Sequence, residues 1–309
     1  MSALRQVATD YLVVRRALGS KLVGYDHLLD DFITYLDAAG ATRVTTEVAL
    51  AWAQLPGADA HPAYLANRLL VVRGFARHAQ AFDPLTEVPP ARSLPSAACR
   101  AVPYLYSEAE VAALMRAAHS LTPALRGATY ATVIGLMRAT GMRIGEVVRL
   151  DQDDVDFTAG SLVVWSSKFN KSRELALHES TLEALGVYAA LRRAKSPESE
   201  AVSFFISQRG TRLTSSTVEP TFQHLAKGAG LHPRSARCRP RMHDLRHTFA
   251  STQLLEWYRK GLDVEVMLPL LSTYMGHSGP AATYWYLSAL PELLALVVER
   301  RDHVLGARA

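Results

Sequence analysis

The sequence predicts a mainly α-helical protein that carries one small antiparallel β-sheet and divides into two domains. Three observations point there. Apolar residues recur at three- and four-residue steps through most of the chain. Three short apolar-rich runs lie close together between Val155 and Leu177, separated by turn signals. Pro84, Pro89, Pro90, Pro95 and Pro103 crowd one stretch, each removing a backbone donor and biasing its predecessor towards extended geometry. At 309 residues the chain also exceeds the usual size of a single core.

The N-terminal domain, residues 1–88, reads as a bundle of four or five helices punctuated by Gly19, Gly40 and Pro56-Gly57. Between His61 and Phe82, Leu65, Leu69, Val72 and Phe75/Ala76 share one face, and Arg68, Arg73 and Arg77 are expected largely off it, towards phosphates or solvent. Residues 89–103 form the proline-rich linker, and residues 104–309 the second domain. There Ser107 and Glu110 match a capping box that opens a helix through His119. Pro123 sits near the start of a helix that reaches Thr140 and ends at Gly141. Strands are expected at Val155–Phe157, Leu162–Trp165 and Glu174–Leu177, turning at Ala159-Gly160 and at Lys168 to Lys171. Helical spacing returns over Ser180–Lys195 and Thr217–Ala229, then from His243 almost without pause to the end.

Composition bounds the function. Hydrophobic residues make up 49% and charged residues 20%, which supports proper cores and excludes a disordered chain. A net charge of +5 favours an anionic partner. Cys99 and Cys238 lack the spacing of a zinc site or a disulfide framework and are expected as ordinary thiols. With no signal-peptide pattern and no apolar run near the roughly 18 residues of a spanning helix, the expectation is a cytoplasmic protein without membrane contact.

Several residues suit anion chemistry. His243, Arg246 and His247 stand at i, i+3 and i+4, so a helix places them on one side, able to converge on one phosphate or to act as a capping cluster paired with Asp244. His243-x-x-x-His247 has metal-ligand spacing, but Asp244 stands where a zinc protease needs Glu, and no third ligand is evident. Arg143, three residues before Glu146, is either an anion contact or half of a structural ion pair. Lys168, Lys171 and Arg173 make the second strand turn basic, a groove probe or a solvated tip. Arg234, Arg237, Arg239 and Arg241 form either part of a clamp on an anionic partner or a solvated basic loop. His277 precedes Tyr286 by nine residues, and periodicity does not choose among Tyr284, Trp285 and Tyr286.

The order Arg143, Lys168, His243-Asp244-Leu245-Arg246-His247, Gly276-His277 and Tyr286 resembles the tyrosine recombinases, the family of phage integrases and Xer-type resolvases, over Tyr104 to about Leu290. More loosely, by size and position, the N-terminal bundle is similar to the family's SAM-like core-binding domain. The resemblance implies a mixed α/β catalytic domain in which Tyr286 is the nucleophile, Arg143 and Arg246 cradle the scissile phosphate, Lys168 and His243 handle protons, and His277 completes the pocket. It implies a 3′-phosphotyrosine intermediate and a Holliday junction on double-stranded DNA, with neither metal nor nucleotide cofactor. Arg68, Arg73, Arg77, Lys171, Arg173, Arg239 and Arg241 are the candidate DNA contacts. The apolar stripe Leu290, Leu293, Leu294, Val297 and Val298 either packs on its own domain or, as the resemblance suggests, links four subunits, alike or of two kinds. Competing expectations are a type IB topoisomerase and a regulator that binds DNA without catalysis.

Overall fold

The computed structural model describes residues 3–20, 22, 24–57, 59–95, 101–165 and 172–277. Cys99, Lys168, Lys171, Tyr284, Tyr286 and the apolar stripe after Leu290 lie outside the described residues. The chain divides into two compact units, Met1–Arg100 and Ala101–Ala309.

The first unit is built from α1 (Ala3–Ala17), α2 (Tyr25–Ala38), α3 (Thr46–Gln54) and α4 (Pro62–Ala79). On α2, Leu29, Phe32, Ile33 and Leu36 repeat at helical spacing and are fully or almost fully buried against Trp52 of α3 and Leu69, Val72 and Phe75 of α4. Local chemistry sets the helix starts: Thr45 caps α3 by accepting from the Val48 amide at 3.2 Å, and Pro62 opens α4, where a missing amide hydrogen costs nothing. Leu94, within the stretch expected as linker, is buried in this core.

Arg68 departs from the expectation. It is 5% exposed, stacks 3.8 Å over the Trp52 ring and donates to the Trp52 carbonyl at 3.0 Å and to Asp31 at 3.4 Å. At three residues past Leu65 and four before Val72, it falls within the apolar stripe, so helix geometry turns it inwards. It is thus a buried core contact. Arg68→Ala is expected to cost about 2–3 kcal/mol of stability through the lost stacking and charge-assisted bonds. Denaturant unfolding measures this, and DNA affinity should remain unchanged.

In the second unit the core gathers around α6 (Ala124–Thr140), which is packed by α5 (Glu108–His119), α8 (Glu179–Lys195) and α10 (Asp244–Arg259). The capping box at α5 is present: Ser107 accepts from the Glu110 amide at 3.2 Å, and Glu110 accepts from the Ser107 amide at 2.7 Å. After the single turn α7 (Ile144–Val147) comes a three-stranded antiparallel sheet, β1 (Val155–Asp156), β2 (Ser161–Val164) and β3 (Arg173–Ala176), in that spatial order. Val155 faces Leu162, and Val164 faces Arg173. The strands sit within a residue or two of their expected bounds. α9 (Ser215–Gly228) completes this core.

The helical run expected almost without pause from His243 onward is interrupted after Arg259. α10 ends at Arg259, Gly261 adopts a left-handed φ of 72°, and Asp263 caps α11 (Val264–Met275) by accepting from the Glu265 amide at 3.0 Å. The break lets α11 fold back on α10, burying Leu254, Leu268, Leu271 and Met275 together. Among the described residues, no helix is long and apolar enough to cross a membrane.

Candidate active site

Three consecutive backbone carbonyls at the C-terminal end of α11 each accept a hydrogen bond from a different arginine. Arg173 Nε donates to the Tyr274 carbonyl at 2.7 Å, Arg246 Nη2 to that of Met275 at 2.8 Å and Arg143 Nη2 to that of Gly276 at 3.0 Å. The last carbonyls of a helix lack intrahelical donors and carry its partial negative charge, so guanidiniums satisfy both needs. The arginines come from β3, from α10 and from the residue preceding α7, elements that are remote in sequence.

Glu146 ties two of them together. Its carboxylate accepts from Arg173 at 3.2 and 2.8 Å, from Arg143 Nη1 at 2.9 Å and from the Arg143 amide at 2.9 Å. It is 4% exposed; burial alone would raise its pKa, but the Arg173 bonds and charge, followed by Arg143, hold it at about 2. Arg246, 1% exposed, also donates to the Gly141 carbonyl at 2.5 Å. That carbonyl is presented by a left-handed residue with φ of 64°, where a side chain would overlap the Phe249 ring. Gly276 is needed as well: its φ is 67°, and a Cβ there would stand 2.7 Å from Arg173 Nη1.

His277 follows directly and is partly buried. Desolvation first, then the charges of Arg246, Arg143 and Arg173, push its pKa down to about 4, so the ring is neutral at pH 7. Three guanidiniums against one carboxylate leave the cluster two charges positive, a local environment suited to a phosphodiester.

Acid should therefore weaken the fold in two stages. In the unfolded chain His277 takes up its proton near pH 6.5 and in the fold only near 4, so stability falls as pH drops through that window. Glu146 adds a second loss between 4.5 and about 2. Urea midpoints at pH 7, 5 and 4 should decline, and His277→Gln should flatten the upper stage.

Of the residues singled out from the sequence, Arg143, Arg246 and His277 are brought together. His243 immediately precedes α10, one turn before Arg246; its ring is exposed and meets His247 edge-on, centroids 4.9 Å apart. Arg173 is not at a solvated tip: its side chain is 10% exposed and spent on Glu146 and Tyr274. The signal was its register, since residues two apart on a strand share a face and Leu175 is fully buried. Arg241 grips the buried Asp244 with two bonds of 3.0 and 2.7 Å, whereas Arg239 is exposed. In the first unit Arg77 is exposed and Arg73 partly so; with Arg92 they border a cleft of about 420 Å³. Among the described residues, no group of histidine, cysteine or carboxylate side chains could hold a metal ion.

Residues 105–292 match the phage integrase family. A putative integrase/recombinase of Sinorhizobium fredii, y4rB, is 41% identical over 308 residues, spanning 98% of both chains. By structure, the chain is similar to the XerH site-specific recombinase bound to its palindromic difH substrate, with a TM-score of 0.64 and 18% identity over 97% of this chain and 85% of that one. It is also similar to a lambda integrase tetramer bound to a Holliday junction, with a TM-score of 0.60 and 19% identity over 92% of this chain and 76% of that one. The chain belongs to the phage integrase family of tyrosine recombinases, DNA strand transferases of site-specific recombination.

Proposed function

We propose that this chain binds double-stranded DNA at specific recombination sites and cuts and rejoins it through a covalent 3′-phosphotyrosine link at Tyr286. The observation that carries the reading is the cationic cluster at the end of α11, which gathers Arg143, Arg246 and His277, the last of these nine residues ahead of Tyr286 in the chain.

The chemistry follows from residue types. A phenol of pKa about 10 is roughly a thousandth ionised at neutral pH, so Tyr286 loses its proton as it attacks phosphorus, and His243 accepts it. Arg143 and Arg246 bind the non-bridging oxygens, whose charge grows in the transition state. The bond to the 5′ oxygen breaks as Lys168 protonates that oxygen, and neutral His277 donates a hydrogen bond to the phosphate. One ester replaces another, so the link retains the energy to rejoin to a different 5′ hydroxyl without ATP. Neither metal nor cofactor is assigned a role. Exchange between two duplexes passes through a Holliday junction and involves four protomers, with the apolar stripe of Leu290 to Val298 joining neighbours. Arg73, Arg77, Lys171 and Arg239 contribute phosphate contacts, which position the duplex rather than read it.

A duplex nicked close to the cut site tests the reading, because loss of the short 5′ fragment strands the protein on DNA. Wild-type protein should accumulate as a covalent adduct, and Tyr286→Phe should bind with similar affinity and form none. Adduct formation by that variant would assign the nucleophile elsewhere.

A further inference from the structure

Arg173 is placed as a joint would be. Its Nε edge donates to the Tyr274 carbonyl, and its two Nη groups meet the two oxygens of Glu146. Arg143, 26% exposed, shares Glu146 and reaches the Gly276 carbonyl. One guanidinium thus connects β3 to the residue that orients Arg143 and to the last turn of α11, two and three residues before Gly276 and His277. Lys168 lies five residues before Arg173 in the chain.

We propose that Arg173 is a positioning residue for strand cleavage, setting where Arg143 and His277 stand through Glu146 and the Tyr274 carbonyl rather than by touching DNA. The inference rests on the phosphotyrosine reading above. Three features of the side chain support it. Its burial leaves little surface for a phosphate. Its bonding needs a planar fork with a third donor on the Nε edge, which lysine, a point charge, does not supply. It also lies so close to the backbone of Gly276 that a Cβ there would stand 3.0 Å from its Cζ, so the shape of the turn before His277 is moulded on it. Misplacing reacting groups by about 1 Å is enough to slow chemistry roughly 100-fold.

The test separates binding from chemistry on the nicked duplex. Dissociation constants and first-order adduct rates at saturating protein are measured for wild type, Arg173→Lys and Arg173→Gln. Dissociation constants are expected within about threefold of wild type, with adduct rates down about 10-fold for Lys and about 100-fold for Gln. Rates equal to wild type would overturn the proposal. So would a loss confined to the dissociation constant with the saturated rate preserved, which would make Arg173 a DNA contact. Should Arg173→Gln fail to fold, the charge-neutral pair Arg173→Gln with Glu146→Gln replaces it: a slowed rate with binding retained supports the proposal, and a wild-type rate overturns it. Tyr286→Phe is run alongside. Adduct from that variant sinks the underlying reading, whereas its silence combined with a wild-type rate in the Arg173 variants sinks only the positioning role.

Discussion

Tyr286→Phe is expected to lower covalent adduct formation by about 10⁴-fold or more, the scale on which removing a nucleophile acts. The substitution deletes one oxygen and keeps the ring, so packing and DNA affinity should change little. The cationic cluster at the end of α11 rests on the bonds of Arg173, Arg246 and Arg143 to the Tyr274, Met275 and Gly276 carbonyls and on the Glu146 carboxylate between Arg143 and Arg173. Such a variant should still assemble on DNA and compete with wild type for sites. Tyr284→Phe is the internal comparison and should cut at close to the wild-type rate. A reversal of the two results would move the nucleophile by two residues while leaving the phosphate-binding argument intact.

Glu146→Ala carries the largest expected cost to the fold, about 3–5 kcal/mol, because removing one partner of a buried ion pair leaves the other uncompensated. Here the carboxylate serves two guanidiniums and one amide, and its pKa near 2 reflects how strongly those donors favour the ionised form over the burial that opposes it. Without it, Arg143 and Arg173 confront each other across a buried gap. Denaturant unfolding of the second unit reads the loss, and adduct formation should fall as well, because the Arg143 guanidinium retains only the Gly276 carbonyl among its described partners. Glu146→Gln should be milder, since it preserves volume and acceptor oxygen. An alanine variant as stable as wild type would mean that the cluster relaxes without its acid.

Much of the architecture was legible because it is local. The capping box at Ser107 and Glu110, the stop at Gly141, and the strands around Leu162 and Leu175 follow from neighbours a few residues apart, and the structure contains each. The two arginines assigned outward, Arg68 and Arg173, show where local reading fails. Each was in phase with buried apolar residues, Arg68 with Val72 and Arg173 with Leu175, yet charge argued for the surface. What outweighed charge was a distant partner: the Trp52 ring and carbonyl for one, Glu146 and the Tyr274 carbonyl for the other. The break at Gly261 was missed for a related reason, as helical spacing continues on both sides and only the packing of α11 on α10 requires the turn.

The sequence by itself determined the helical class, the small sheet, the spacing of His243 and Arg246 on one helical side and the family to which those residues point. Only the tertiary structure decided that Arg143, Arg173 and Arg246 meet at three successive carbonyls, that Glu146 is their common counter-charge and that His277 sits neutral beside them. The reason is physical: periodicity and capping are set by near neighbours along the chain, whereas a buried charge is tolerable only where folding delivers opposite charge and carbonyl dipoles from far away.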